Sequence, residues 1–100
     1  LDAARTVLFL EFQHLQVRSE ADVSAIQAAV EAACTALPGK VHAVVNYDGF
    51  RLADAVAPAY AEMARSMEAR FYARVTRYAS AAFDRLRLSR TLGAPIAPHA

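Results

Sequence analysis

Two short apolar runs bracket a stretch of helical period, and this arrangement restricts the fold more than any other feature of the chain. Thr6-Val7-Leu8-Phe9-Leu10-Glu11-Phe12 is nearly continuous, β-branched and aromatic. It reads as a strand buried on both faces, of the kind found in parallel sheets with helices on the faces. Gln13 to Arg18 form a connection. Ser19 is a good N-cap, and Glu20 and Asp22 follow in the first turn, where the helix dipole favours acids. Val23, Ile26, Val30, Ala33 and Leu37 recur at helical spacing and mark a buried stripe, with Cys34 beside it as core filler. Pro38-Gly39 stops the helix. Val41-His42-Ala43-Val44-Val45-Asn46-Tyr47 is the second strand, ended by Asp48-Gly49. Strand, helix and strand make a βαβ unit, so the strands should run parallel with a right-handed crossover.

The same alternation continues. Arg51 to Phe71 reads as mainly helical, with Pro58 in the first turn or at a kink, and Tyr60, Met63, Ala64, Met67 and Phe71 as its apolar stripe. Tyr72 to Tyr78 is a weaker third strand. Arg74 and Arg77 within it suggest an edge or near-edge position where the charges reach water. Ser80 can cap a last helix over about 81–92, with Phe83 and Leu86 facing inward and Gly93 ending it. The expected fold is therefore α/β: a small, mostly parallel sheet of three or four strands covered by helices, in the order β-α-β-α-β-α. A fourth strand would come from outside the chain or from Leu1 to Arg5. Residues 1–93 form one domain, and 94–100 look like a flexible tail.

Composition limits the function classes. Of the 100 residues, 24 are Ala, so the 56% hydrophobic content overstates the core. Residues 1–50 carry three basic and six acidic side chains, whereas residues 51–100 carry eight Arg and only four acids. The second half could offer phosphates or carboxylates a positive face, or the Arg residues could simply line solvated helices. Phosphate binding normally shows a stronger excess, and Glu62, Glu68 and Asp84 are interspersed, so no nucleic-acid partner is expected. The single cysteine excludes an internal disulfide and fits a reduced, cytoplasmic setting. No apolar run approaches a membrane span, so no membrane partner is expected. The absence of an initiator methionine suggests a piece of a longer protein.

Complete catalytic sets are missing from the sequence. Cys34 has no base in evident reach, and His14, His42 and His99 lack metal-ligand spacing. The three glycines match no phosphate loop. No catalytic residue, metal ligand or cofactor is therefore assigned to the domain. Ligands of open α/β sheets gather at the carboxyl ends of the strands. There, Asn46, Tyr47 and Asp48 with Arg77 and Tyr78 form the most polar convergence, and they are the candidate ligand- or partner-binding residues. The structural alternative has Asp48 capping a turn, Arg77 paired with it, and the tyrosines packed with their hydroxyls hydrogen-bonded.

Two segments carry a family resemblance. Val41 to Phe50 reads V-x-x-x-V-N-Y-D-x-F, and Tyr72 to Phe83 reads Y-x-x-V-T-R-Y-x-x-x-A-F. Both resemble the C-terminal part of long bacterial acyl-CoA:acetate/3-ketoacid CoA-transferases, and Leu8 to Phe12 resembles the strand that precedes them there. The resemblance covers most of residues 6–93. It implies an accessory domain of an enzyme that moves CoA, as a thioester substrate, between acyl groups and carboxylates. The family's catalytic Glu motif is not in these residues, so the implied partners are the catalytic body of the parent protein or other subunits. The element order is also similar to STAS domains, the fold of anti-sigma factor antagonists, which implies the alternative of a free-standing regulatory interaction domain. Those domains carry a phosphorylatable Ser or Thr where this chain has Tyr47-Asp48-Gly49-Phe50, which argues against a phospho-switch.

Overall fold

The computed structural model describes residues 6–98. Leu1 to Arg5, considered above as a source of a fourth strand, lie outside the described residues, as do His99 and Ala100 of the tail. The main sheet contains β1 (Val7–Glu11), β3 (Val41–Asn46), β5 (Tyr72–Ala79) and β6 (Ala97–Pro98), in that spatial order and all parallel. The helices α1 (Glu20–Thr35), α2 (Ala57–Phe71) and α3 (Ala82–Leu92) connect them. Each crossover steps to the next strand in the same direction. With right-handed connections this sends all three helices to one side of the sheet. Accordingly α2 packs between α1 and α3.

The core lies between these two layers. Val41 and Ala43 are fully buried, and Val45 nearly so, beneath Val30, Tyr60, Met63 and Met67. Each buried aliphatic side chain of this size contributes about 1.5–3 kcal/mol relative to exposure. The α1 helix begins as its sequence requires, with Ser19 accepting from the Asp22 amide at 3.3 Å. Its buried residues are Val23, Val30 and Cys34. Pro58 sits in the first turn of α2, and Gly93 closes α3 with a left-handed φ of 64°.

The opposite face of the sheet has no helix over it among the described residues. The expectation that β1 is buried on both faces therefore fails: Phe9 is 65% exposed and Val7 43%. A continuous apolar run satisfies the two-sided pattern without stating what covers the second side.

Other local expectations also change. The span expected to be mainly helical from Arg51 begins extended, at residues 51–53. Arg51 donates its amide to Leu15 O at 2.9 Å and Ala53 to Val17 O at 2.9 Å. These bonds form a second, two-stranded parallel sheet from β2 (Gln16–Val17) and β4 (Arg51–Leu52). A 3-10 turn at Asp54–Val56 then leads into α2. Phe83 and Leu86 do not face inward; Phe83 is 68% exposed. Leu88 and Leu92, one turn apart, set the buried stripe of α3 instead. Ser80 does not cap α3; Ala81 occupies the cap position without a side-chain bond. Finally, Ala97–Pro98, within the segment expected to fray, pairs with Tyr78 and Ala79 and forms the fourth strand.

Candidate functional site

Strand register divides the five candidate residues between two environments. Asn46 and Tyr78 are side by side on β3 and β5. Asn46 donates from Nδ2 to Glu11 Oε1 at 3.0 Å and accepts the Asp48 amide at 2.9 Å. Asp48 receives the Ser80 amide at 2.5 Å and the Ser80 hydroxyl at 3.2 Å. Desolvation, then the Glu11 and Asp48 carboxylates, push the Tyr78 phenol upward. Asn46, Asp48 and Tyr78 thus form a polar tie across the carboxyl ends of the three long strands.

Tyr47 and Arg77 point the other way, under the helices. Tyr47 meets the Tyr60 hydroxyl at 2.8 Å and packs edge-on against Phe12 and Phe50, at 5.8 and 4.9 Å between centroids. Burial raises its pKa, opposed by the Tyr60 hydrogen bond and by Arg77. Arg77 does not reach water as an edge-strand Arg would, nor does it pair with Asp48. Its position on β5 faces α2, where its Nη2 donates to Glu68 Oε1 at 3.1 Å. Its Nε is buried without a hydrogen-bond partner among the described residues. The five residues therefore do not converge on one site.

The open sheet face carries a different set of side chains. Register places Val7, His42 and Arg74 in one row, Phe9, Val44 and Thr76 in the next, and Glu11, Asn46 and Tyr78 in the third. His42 joins two rows, with Nε2 2.9 Å from Thr76 Oγ1 and Nδ1 3.4 Å from Arg74 Nη2. Arg74 can only donate, so Nδ1 accepts and Nε2 carries the proton toward Thr76. A catalytic imidazole needs an acid behind it to stabilise the imidazolium. His42 has a guanidinium and no acid in that place, and its Nε2 donates to Thr76 rather than accepting from it, so this trio orders a surface. His42 and Thr76 were visible in the sequence only as strand residues. Their pairing depends on a bulge at Ala73, which shifts the β3–β5 register between Val41 and His42 and which no periodicity signals.

Four of the eight Arg residues of the second half are in ion pairs among the described residues. Arg51, Arg70, Arg77 and Arg87 pair with Asp84, Glu31, Glu68 and Asp54. Arg85 donates to the carbonyls of Ala79 and Ser80 at 3.0 and 2.7 Å. Among the described residues, no cluster of three or more His, Cys, Asp or Glu could hold a metal ion, and no helix is long and apolar enough to cross a membrane. The open face of β1, β3 and β5, most exposed at Val7, Phe9, Glu11, Arg74 and Thr76 and closed off at the buried Asn46, is thus the candidate interaction surface. Comparison of the chain with protein-family models, with curated proteins and with solved structures finds no match in any of the three.

Proposed function

We propose that this chain is a non-catalytic interaction domain, the C-terminal accessory domain of an acyl-CoA:acetate/3-ketoacid CoA-transferase-like protein, which meets its catalytic body through the open sheet face. The observation that carries the reading is the exposure of Phe9 and Val7 beside an ordered polar row. Exposed apolar side chains beside ordered hydrogen-bonded groups suit a protein-binding patch. Parallel sheets are normally covered on both faces, and a partner on this side would complete the second layer. The choice of partner rests on the two motif segments. Asn46, Asp48 and Tyr78 in those motifs hold strand ends together, and Tyr47, Arg77 and Phe50 build the core beneath. Their roles are those of a scaffold.

Two measurements test the proposal together. The reading frame containing this sequence should encode a CoA-transferase body upstream of it, and the purified chain alone should exchange no CoA between an acyl-CoA and acetate. A frame without such a body, or turnover by the isolated chain, overturns it.

A further inference from the structure

We propose that two copies of this chain pair antiparallel along the free edge of β1 and join their sheets into one. The inference does not rest on the function proposed above, because the pairing uses the sheet edge and leaves the open face uncovered. The strand order places β1 at one margin, with β3 as its only strand neighbour among the described residues. His42 donates its amide to Thr6 O at 2.8 Å, and Phe12 donates its amide to Asn46 O at 3.0 Å. Backbone groups of successive strand residues point to alternate sides, so Thr6, Leu8, Leu10 and Phe12 bond toward β3. The N–H and C=O of Val7, Phe9 and Glu11 therefore point out of the sheet edge.

These three residues are symmetric about Phe9. In an antiparallel pair, hydrogen-bonded residues that lie directly opposite exchange both of their N–H···O bonds. With Phe9 opposite its own copy on a two-fold axis, Val7 lies opposite the second copy's Glu11. Every outward backbone group of the strand then has a partner. A two-fold contact must be self-complementary, and this edge meets that condition. On the helix side the same register sets Leu8 against the second copy's Leu10, at the closer, non-hydrogen-bonded spacing.

The two margins of the sheet differ in a way that favours this contact. Exposed edges are usually blunted by short length, Pro, Lys or a bulge. The opposite margin is β6, two residues long and ending in Pro98. In contrast, β1 has five residues, VLFLE, and pairs with β3 without a bulge. Beside it an apolar groove runs between β1 and α1, walled by Leu10, Phe12, Leu15 and Ile26, and no residue of α2 lines it. Ala25 and Ala29 are exposed on α1 along this groove, so a second copy can approach closely. Glu11 also borders the groove, but its carboxylate accepts from Asn46 on the open face. The two-fold axis sets the two grooves toward each other, and pairing removes apolar surface of both from water.

Sedimentation equilibrium of the purified chain tests the pairing. Wild type should populate a dimer at or below a concentration on the order of 1 mM and dissociate on dilution. Phe9→Pro removes an N–H that points outward and no bond to β3, a change that edge strands accept. It should keep the circular dichroism spectrum of wild type and remain monomeric at that concentration. Val7 meets the second copy's Glu11 twice in each dimer. Val7→Asp should therefore weaken the dimer at least about threefold, and Val7→Lys should strengthen it by a similar factor. Within one chain Val7 is in a row with His42 and Arg74, so charge effects on the monomer run the opposite way. Should Phe9→Pro not fold, amide exchange of wild type decides. The Val7, Phe9 and Glu11 amides should be protected in the concentrated sample and exchange freely on dilution, while Leu8 and Leu10 stay protected in both. Wild type that is monomeric throughout overturns the pairing. So does a dimer that Phe9→Pro leaves intact, one that Val7→Asp does not weaken relative to Val7→Lys, or exchange at Phe9 that ignores concentration.

Discussion

Arg77 and Glu68 form an ion pair across the two layers, Nη2 to Oε1 at 3.1 Å, in which the cation is buried and the anion half-exposed. Removing only the acid leaves a buried charge with less to satisfy it. Glu68→Ala should cost about 1–2 kcal/mol, a value reduced from that of a fully buried pair because solvent reaches Glu68. Arg77→Met keeps most of the volume and removes both the charge and the orphaned Nε–H. It should remain within about 1 kcal/mol of wild type, whereas Arg77→Ala, which leaves a void, should cost about 3 kcal/mol. Urea denaturation of the three variants checks the order.

Asp48 is the clasp between the end of β3 and the start of α3. Both of its carboxylate oxygens receive bonds from Ser80, and its own amide is held by Asn46. Asp48→Ala should lower stability by about 1–2 kcal/mol, and Ser80→Ala by less, since it keeps the backbone bond. Equal losses in the two variants would mean that the hydroxyl and not the amide carries the contact.

Gly49 and His14 occupy neighbouring turns at the ends of β3 and β1, each with positive φ, 69° and 60°. A Cβ on Gly49 would run into the His14 ring. Gly49→Ala should therefore cost about 1–2 kcal/mol from the left-handed backbone, with the clash in addition. His14→Gly removes the ring and suits its own φ, so the penalty of Gly49→Ala should be smaller in that background. A double-mutant cycle by thermal denaturation reads the coupling.

Burial raises the phenols of Tyr47, Tyr60 and Tyr72 above their ordinary value. The folded chain holds these protons more tightly than the unfolded chain, whose phenols titrate near 10. This contribution to stability is complete below about pH 10 and is lost as pH rises toward the folded values. The urea midpoint should hold up to about pH 10 and fall as pH rises above it, less steeply in Tyr60→Phe.

The alternation of elements could be read because each carries its own period. The stripe of Tyr60, Met63, Ala64 and Met67 is buried as its spacing requires, and Ser19 and Gly93 mark helix ends by local chemistry. What failed depends on non-local geometry. The sequence of β1 cannot say that every crossover places its helix on the same side. Arg77 follows Thr76 in a strand that alternates, and only the register at Ala73 decides which of the two enters the core. Phe83 and Leu86 offered a helix stripe as plausible as Leu88 and Leu92, and packing against α2 chose between them. The candidate site suffered most, because residues adjacent in a strand point to opposite faces.

The proposed docking of a CoA-transferase body on the open face of β1, β3 and β5 makes Phe9 a contact residue. Calorimetric titration of the chain against the body encoded in its own reading frame, with wild type and Phe9→Asp compared, tests it most directly. Phe9 is 65% exposed, so the substitution should leave the melting temperature nearly unchanged. Wild type should bind, and binding should weaken at least about tenfold in the variant. Equal affinity of the two proteins, or no binding by wild type, would contradict it.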